Sequence, residues 1–273
     1  MASGTALVTG ASSGIGEATA LRLADLGFTV YGAARRIERM TDLGAKGLRI
    51  LKMDVTDDDS MQAGIKQIID DTGRIDVLVN NAGYGSYGSV EDVPMSEAKY
   101  QFEVNVFGLA RLTQLVLPHM REQGSGRIIN VSSIGGKFYE PLGAWYHATK
   151  FAVEGLSDSL RVELAPYGIR VVIIEPGPIR TEWNAISRES LVEVSRGTAY
   201  EHQAEKVRSR MEKADQPMTS SGPEVVARKI VKAATTSHPK PRYPVGRGAG
   251  TIMGARRVLP DRAFDGIVKR LYS

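Results

Sequence analysis

The sequence predicts an α/β protein in which a doubly wound parallel sheet lies between two layers of helices. Two observations predict this architecture. Short apolar runs rich in β-branched residues alternate along the chain with longer amphipathic stretches, which is typical of buried parallel strands and the helices that cover them. The chain has 273 residues, enough for one such domain with a modest appendage. We therefore expect residues 1–273 to form a single domain.

Six apolar runs are the candidate strands. Each is too short for a helix, and we expect each to be buried on both faces. The runs are Ala6–Thr9, Thr29–Ala34, Leu48–Met53, Val77–Val79, Ile128–Val131 and Val171–Ile174. A last strand is expected at Arg242–Val245.

The candidate helices lie between these runs, and several end at a glycine, a common helix stop signal. They are Gly14–Leu26, Asp57–Asp71, Ser96–Gln123 and Ala144–Tyr167. A fifth is expected to begin at a capping box formed by Ser221 and Glu224 and to run to about Ala234.

The last third of the chain has a different composition. Residues 183–222 form a polar, partly helical insertion that we expect to act as a substrate lid. Residues 223–273, a C-terminal extension, hold 11 Lys and Arg against 3 Asp and Glu. Such a basic segment can contact nucleic acid or an anionic membrane, but no nucleic-acid motif accompanies it. We expect a solvated surface and no nucleic-acid partner, with membrane contact as the less favoured alternative.

Composition excludes several classes of site. The chain has no cysteine, which rules out disulfides, iron–sulfur clusters and thiolate chemistry. Its four histidines lack metal-ligand spacing, so no metal site is predicted. No apolar run reaches the length of about 18 residues that a transmembrane helix needs. The N-terminus lacks the pattern of a signal peptide, and we expect a cytoplasmic protein.

A glycine-rich loop follows the first candidate strand and leads directly into a helix. The glycines permit a sharp turn and a close approach to a pyrophosphate, while the helix N-terminus offers free N–H groups. The spacing is G-x-x-x-G-x-G rather than G-x-G-x-x-G. The expected dinucleotide-binding residues are Gly10, Ser12, Ser13, Gly14, Ile15 and Gly16.

The end of the second strand predicts which dinucleotide binds. NAD sites usually carry an Asp or Glu there, bonded to the ribose 2′-hydroxyl. No acidic residue occurs in Val30–Ala34, and Arg35 and Arg36 follow. A guanidinium can pair with a 2′-phosphate in a bidentate manner, so the sequence predicts NADP(H).

A tyrosine and a lysine four residues apart, Tyr146 and Lys150, are placed on one face of a helix. Alone, this spacing has little value, because a packed tyrosine beside a lysine is common. An ammonium nearby would lower the pKa of the phenol and make it a usable acid–base group. Ser133 ends the preceding strand, at the sheet edge where ligands bind. Asn105 lies within a helix, where asparagine is mildly unfavourable, so its side chain is a candidate for a role.

Together these residues resemble the short-chain dehydrogenase/reductase family, over about residues 5–182. The resemblance is carried by the glycine loop, Asp54-Val55, Asn80-Asn81-Ala82-Gly83, Asn105, Ser133, Tyr146-x-x-x-Lys150 and Pro176-Gly177-Pro178-Ile179-Arg180-Thr181. It implies a Rossmann-type fold with a seven-stranded parallel sheet. The stretch from Tyr146 to Gly168 is similar to the branch that contains retinol and 17β-hydroxysteroid dehydrogenases and many bacterial relatives.

The resemblance also implies roles for individual residues. Tyr146 would donate or accept the proton of a carbonyl/alcohol pair, and Lys150 would lower its pKa and bind the nicotinamide ribose. Ser133 would orient the substrate oxygen, and Asn105 would support a water-linked proton relay. Further cofactor contacts are implied at Asp54, Val55, Asn81, Ala82, Gly83, Pro176, Gly177, Ile179 and Thr181.

The sequence thus predicts an NADP(H)-dependent oxidoreductase for a lipophilic carbonyl or alcohol. Apolar and aromatic side chains near the sheet edge are the expected substrate lining. They are Tyr84, Tyr87, Phe138, Tyr139, Leu142, Trp183 and Ile186, with Tyr139 and Trp183 as the main candidates besides Ser133 and Tyr146. A homodimer or homotetramer is expected, because the two long helices carry more apolar positions than one sheet contact requires. The alternatives are a non-catalytic dinucleotide sensor and a membrane- or nucleic-acid-binding protein.

Overall fold

A computed structural model describes residues 4–272. Its centre is a seven-stranded sheet in which all neighbouring strands are parallel, in the order β3-β2-β1-β4-β5-β6-β7. The strands are β1 (Thr5–Thr9), β2 (Thr29–Ala34), β3 (Arg49–Lys52), β4 (Val77–Asn80), β5 (Gly126–Val131), β6 (Ile169–Pro176) and β7 (Arg242–Val245). The doubly wound parallel sheet and its last strand are confirmed.

Eleven α-helices occur within the described residues. They are α1 (Gly14–Asp25), α2 (Thr41–Ala45), α3 (Asp58–Thr72), α4 (Met95–Phe102), α5 (Gly108–Glu122), α6 (Ala144–Leu164), α7 (Glu182–Ser195), α8 (Glu201–Ala214), α9 (Pro223–Thr235), α10 (Ala249–Val258) and α11 (Asp261–Tyr272). Among residues 4–272, no helix is both long and apolar enough to cross a membrane.

Helices cover both faces of the sheet. Successive side chains of each strand point to opposite faces, so each apolar strand contributes to a core on both sides. On one face, Ala6 and Val8 of β1 pack with apolar side chains of α1, α2 and α9. On the other, Leu7 packs with side chains of α3, α5 and α6. The three-layer α/β/α arrangement is therefore the one that the strand pattern predicts.

Two helix predictions need correction. The helix expected over Ser96–Gln123 is divided into α4 and α5 by a π-helical turn, Glu103–Phe107. The capping box at Ser221 is not formed, because Gly222 is the residue that caps α9 and no side chain bonds the helix end. The Ser221 hydroxyl instead accepts a hydrogen bond of 3.2 Å from the backbone N–H of Arg247.

The C-terminal third of the chain has two structural parts. Residues 223–245 supply α9 and β7, so the first half of the expected extension belongs to the central sandwich. The remainder folds back as α10 and α11, whose buried Phe264 and Val268 face the carboxyl ends of the strands. The insertion forms α7 and α8, which pack on each other around Leu191 and Val207. These two helix pairs stand around the cavity described next.

Candidate active site

A cavity of about 1100 Å³ lies at the carboxyl edge of the sheet. It extends from the loop after β1 to the helix pairs α7–α8 and α10–α11. Strand order reverses between β1 and β4, and ligands of doubly wound folds bind at such a reversal. Nearly all of the predicted site residues line this one cavity: Gly10, Ser12, Ser13, Gly14, Ile15, Arg35, Arg36, Asp54, Val55, Asn81, Ala82, Gly83, Ser133, Tyr139, Tyr146, Lys150, Pro176, Gly177, Ile179, Thr181 and Trp183. Of the predicted site residues, Gly16 and Asn105 are not among those that line the cavity.

The glycine loop adopts a conformation that other residues would not tolerate. Gly10 and Gly14 have φ angles of 65° and 59°, in the left-handed region. A Cβ on Gly16 would lie 2.2 Å from the carbonyl oxygen of Gly10. Ser13 precedes α1, but no side chain bonds the first amides of that helix. Uncapped amides above a tight turn are a suitable site for a pyrophosphate.

Hydrogen bonds join the ends of β1 and β4 beneath this loop. The Thr9 hydroxyl accepts from the backbone N–H groups of Asn81 and Ala82, each at 3.0 Å. The Asn81 side-chain amide donates to the Thr9 carbonyl at 2.9 Å. The stretch from Asn81 to Gly83 is thereby held against the first strand, on the cavity side.

Arg35 lies at the end of β2, where an NAD site would carry a carboxylate. Its guanidinium donates a 2.6 Å hydrogen bond to the hydroxyl of Tyr100 on α4. Asp54 lies across this part of the cavity, and its carboxylate accepts from the Thr56 N–H and hydroxyl at 3.0 and 2.8 Å. The cavity therefore carries an oriented guanidinium at the end of β2. Together with the uncapped α1 amides, these donors fit the anionic groups of a nicotinamide dinucleotide.

Ser133, Tyr146 and Lys150 meet where β5 and α6 approach the cavity. The Ser133 hydroxyl accepts a 3.0 Å bond from the Gly135 N–H, which fixes its orientation. Tyr146 and Lys150 are buried, and the Lys150 Nζ lies 5.9 Å from the centre of the Tyr146 ring. Lys150 also donates a 3.1 Å hydrogen bond to the carbonyl of Val131, at the end of β5.

Tyr146 and Lys150 both have shifted pKa values. Burial raises the pKa of Tyr146 to about 12, while its hydrogen bond with Ser133 lowers the pKa. Burial also lowers the pKa of Lys150 to about 8, with Glu154 acting in the opposite direction. Burial thus dominates the pKa of both groups, and the lowering of the phenol pKa by Lys150 remains a prediction.

Asn105 lies in the π-helical turn between α4 and α5, a type of irregularity that is frequent at functional sites. Its side-chain amide donates to the Tyr84 carbonyl at 2.7 Å and to the Thr149 hydroxyl at 3.1 Å. Its oxygen accepts from the Tyr84 N–H at 2.8 Å. Asn105 therefore connects the loop after β4 to α6 through Thr149, the residue that precedes Lys150. Its part in a proton relay remains a prediction.

Aromatic side chains pack against the Tyr146 ring. The Tyr87 ring stacks on Tyr146 with centroids 5.5 Å apart, and the Trp183 ring lies 5.2 Å from Tyr146. Gly85 makes room for the indole, since a Cβ there would lie 2.0 Å from Trp183. Of the seven predicted lining side chains, all but the buried Leu142 line the cavity.

Sequence reasoning missed the contribution of the C-terminal helices. Ile252, Phe264, Ile267, Leu271 and Tyr272 line the cavity from α10 and α11. In α11, Phe264, Ile267 and Leu271 are spaced three and four residues apart, which is typical of an apolar helix face. The sequence analysis instead predicted a solvated surface from the basic charge of this segment. Glu140, in the loop before α6, was also missed.

Comparison with known proteins identifies the family. The family model described as short chain dehydrogenase matches residues 4–191. The chain belongs to this family. Short-chain dehydrogenases are oxidoreductases that bind a nicotinamide dinucleotide and act on small molecules, and they are generally oligomeric.

Individual relatives match over nearly the whole length. An oxidoreductase without assigned substrate, YusZ of Bacillus subtilis (strain 168), is 38% identical over 274 residues, covering 97% of each chain. The NADPH-dependent 3-dehydrocapnine reductase of Ornithobacterium rhinotracheale is 35% identical over 280 residues, covering 96% of this chain and 95% of its own. A solved short-chain dehydrogenase from Streptomyces avermitilis superposes with a TM-score of 0.81 at 34% identity, covering 99% of this chain and 95% of its own.

Proposed function

We propose that this short-chain dehydrogenase transfers a hydride between NADP(H) and a lipophilic carbonyl/alcohol pair, with Tyr146 as the proton donor or acceptor. One observation carries the proposal: the Ser133–Tyr146 pair and the buried Lys150 lie in the same cavity as the uncapped glycine loop. A dinucleotide and a carbonyl compound can therefore share one chamber. A sensor without turnover would have no need of this proton-transfer group.

Two side chains beside the substrate oxygen would have different functions: Tyr146 would transfer the proton, and Ser133 would orient the oxygen. With a pKa raised to about 12, Tyr146 is protonated at neutral pH, and its hydroxyl can donate that proton to a carbonyl oxygen as the oxygen gains negative charge. Ser133 lies beside the phenol and can orient that oxygen. The bound nicotinamide would supply or accept the hydride at the carbonyl carbon. The aromatic wall of Tyr87 and Trp183 limits the access of water.

The preference for NADP(H) is assigned to Arg35. Its guanidinium is held by Tyr100 at 2.6 Å on the cavity side, and no carboxylate of β2 competes for it. A ribose 2′-phosphate carries nearly two negative charges, which a guanidinium can pair with. The NADPH dependence in the name of the Ornithobacterium relative agrees with this assignment.

We expect Arg35→Ala to weaken NADP binding by about ten- to a hundredfold and to leave NAD binding within about twofold, because only the charge-assisted contact to the 2′-phosphate is lost. The measurement is the Kd of each dinucleotide by titration calorimetry. Arg36→Ala is the matched comparison, since it removes the neighbouring guanidinium. Equal or tighter NAD binding by the wild type would overturn the cofactor assignment. An unchanged ratio in the Arg35 variant would exclude this residue.

The substrate class follows from the lining beyond Tyr146. Apolar and aromatic side chains of α7, α8, α10 and α11 form most of this wall, which is the usual environment for a lipophilic ligand. We expect NADPH consumption with long-chain ketones and little with small, highly charged carbonyl compounds. A panel of both kinds, assayed by NADPH absorbance, tests the class. Turnover confined to the charged compounds would refute it.

We also propose a homodimer or homotetramer formed through the helices α5 and α6. Large apolar side chains are solvent-exposed in the single chain on α6 and in the turn just before α5: Phe151 and Val162 of α6 are 46% and 70% exposed, and Phe107 is 55% exposed. We expect light scattering at micromolar concentration to give a multiple of the 29.6 kDa chain mass, and Val162→Arg to shift the distribution towards monomer. A monomer mass for the wild type would contradict this proposal.

A further inference from the structure

An acidic side chain, Glu140, lies in the part of the cavity beside Tyr146. Glu140 precedes α6 in the loop that follows β5, six residues before Tyr146, and it lines the cavity. Its side chain is only 14% exposed. A carboxylate in an apolar chamber is costly unless it is well paired, so its partners need to be accounted for.

The partners of Glu140 within the protein are two neutral hydroxyl groups. Tyr87, from the loop after β4, donates a 3.2 Å hydrogen bond to Oε1. Tyr272, at the end of α11, donates to Oε2. An ionised carboxylate has about four acceptor positions, so two of them remain free for a further donor.

No side chain of opposite charge balances Glu140 within the described residues. The one basic nitrogen within ion-pair distance is Nε2 of His147, at 3.9 Å. Both imidazole nitrogens are already used: Nδ1 lies 2.8 Å from the Gly135 carbonyl, and Nε2 accepts from the Glu140 N–H at 3.2 Å. That pattern requires the neutral imidazole with its proton on Nδ1. Arg210 lines the same cavity, and its charge lowers the pKa of Tyr272, the hydroxyl that donates to Glu140.

Glu140 is close to the reacting centre. Tyr87, which donates to its carboxylate, stacks on the Tyr146 ring at 5.5 Å. The negative charge of Glu140 also contributes to the raised pKa of Tyr146. A molecule whose oxygen contacts Tyr146 would therefore place its neighbouring atoms near this carboxylate.

We propose that Glu140 binds a cationic amine carried by the substrate, so that the enzyme acts on a lipophilic amino ketone or amino alcohol. The ammonium would supply the missing positive charge and donate to the free acceptor positions of the carboxylate. The alkyl part would lie along the apolar wall formed by α8 and α11. This proposal rests on the proposed function and narrows its substrate class.

The test compares two alcohols that differ only in the amine: 1-amino-2-decanol and 2-decanol, each oxidised with NADP⁺. We expect the wild type to prefer the amino alcohol by about tenfold or more in kcat/KM, as for a charge-assisted contact. Glu140→Gln keeps the shape and removes the charge. It should abolish the preference, so that the ratio of kcat/KM for the amino alcohol to kcat/KM for 2-decanol falls to about one, whatever the variant does to the turnover that both alcohols share.

A binding measurement gives a second readout that does not depend on turnover. We expect decylamine to raise the melting temperature of the wild type more than 1-decanol does, and Glu140→Gln to lose that difference. The variant's own melting temperature and circular dichroism report whether it folds. Because the comparison of the two ligands on the wild type needs no variant, it remains decisive if the variant is unstable.

The outcomes separate the two proposals. If wild type treats both alcohols and both ligands alike, the amine site is wrong although the oxidoreductase function stands. If Glu140→Gln lowers turnover of both alcohols equally, the carboxylate has only a structural role in tying Tyr87 to Tyr272, and the amine proposal is again overturned. If neither alcohol is oxidised with NADP⁺ or NAD⁺ but decylamine binding still depends on Glu140, the proposed function fails while the amine site is supported.

Discussion

Tyr146→Phe is expected to lower kcat by about a thousandfold or more while leaving the Kd of NADPH nearly unchanged. The variant removes the hydroxyl that donates the proton, and positioned acid–base groups contribute about 10²–10⁴-fold. Ser133 and Lys150 remain, but neither occupies the position of the phenol hydroxyl. Steady-state rates with a long-chain ketone give the first quantity, and fluorescence titration of NADPH gives the second.

Binding should survive this change because the ring, rather than the hydroxyl, carries the packing. Tyr87 and Trp183 contact the Tyr146 ring at centroid distances of 5.5 and 5.2 Å. Phenylalanine preserves both contacts. Tyr167→Phe, in the exposed turn after α6, removes a hydroxyl far from the cavity and serves as the matched control. Retention of more than a few per cent of the wild-type kcat would refute the role of Tyr146.

Lys150→Ala is expected to damage both turnover and dinucleotide binding, by about 10²-fold or more in kcat and about tenfold or more in Kd. Lys150 is 8% exposed, and its ammonium is bonded to the Val131 carbonyl and lies close to both Tyr146 and Gly83. Removing it takes away the positive charge beside the phenol and a donor facing the dinucleotide. The same pair of assays measures both effects.

A surface lysine provides the control for this variant. Lys66 on α3 has a 75% exposed side chain and pairs with Asp70 on the surface, so Lys66→Ala should leave both quantities unchanged. If Lys150→Ala lowers kcat alone, its proposed contact with the dinucleotide is wrong. If it weakens binding alone, its support of Tyr146 is wrong.

Much of the fold could be predicted because the signals were local. Runs of β-branched residues predicted the strands. Glycines predicted the helix ends: Gly73, for example, adopts the left-handed conformation directly after α3. The nucleotide loop was predictable for the same reason, since Gly10 and Gly14 occupy positions with positive φ. Three further observations were not predictable from such local patterns.

The π-helical turn around Asn105 depends on contacts with Tyr84 and Thr149, 21 and 44 residues away in sequence. Likewise, the pairing of Glu140 with Tyr272 joins residues 132 positions apart. No sequence pattern indicates which surface α11 will cover. The burial of Tyr146 and Lys150, which dominates the pKa of each, was also not predictable, because helical spacing gives their proximity but not the degree of burial of either group.

The most direct test of the proposed activity follows the hydride itself. Wild-type protein is incubated with 2-decanone and NADPH that carries deuterium at nicotinamide C4, and the product is analysed by mass spectrometry. Two separate incubations use NADPH labelled on one or on the other face of C4, because the enzyme transfers the hydride from one face. We predict 2-decanol with one deuterium on its carbinol carbon from one of the two labelled forms, and at most a trace from Tyr146→Phe. Absence of labelled 2-decanol with both forms, from folded protein shown to bind NADPH, would contradict the account.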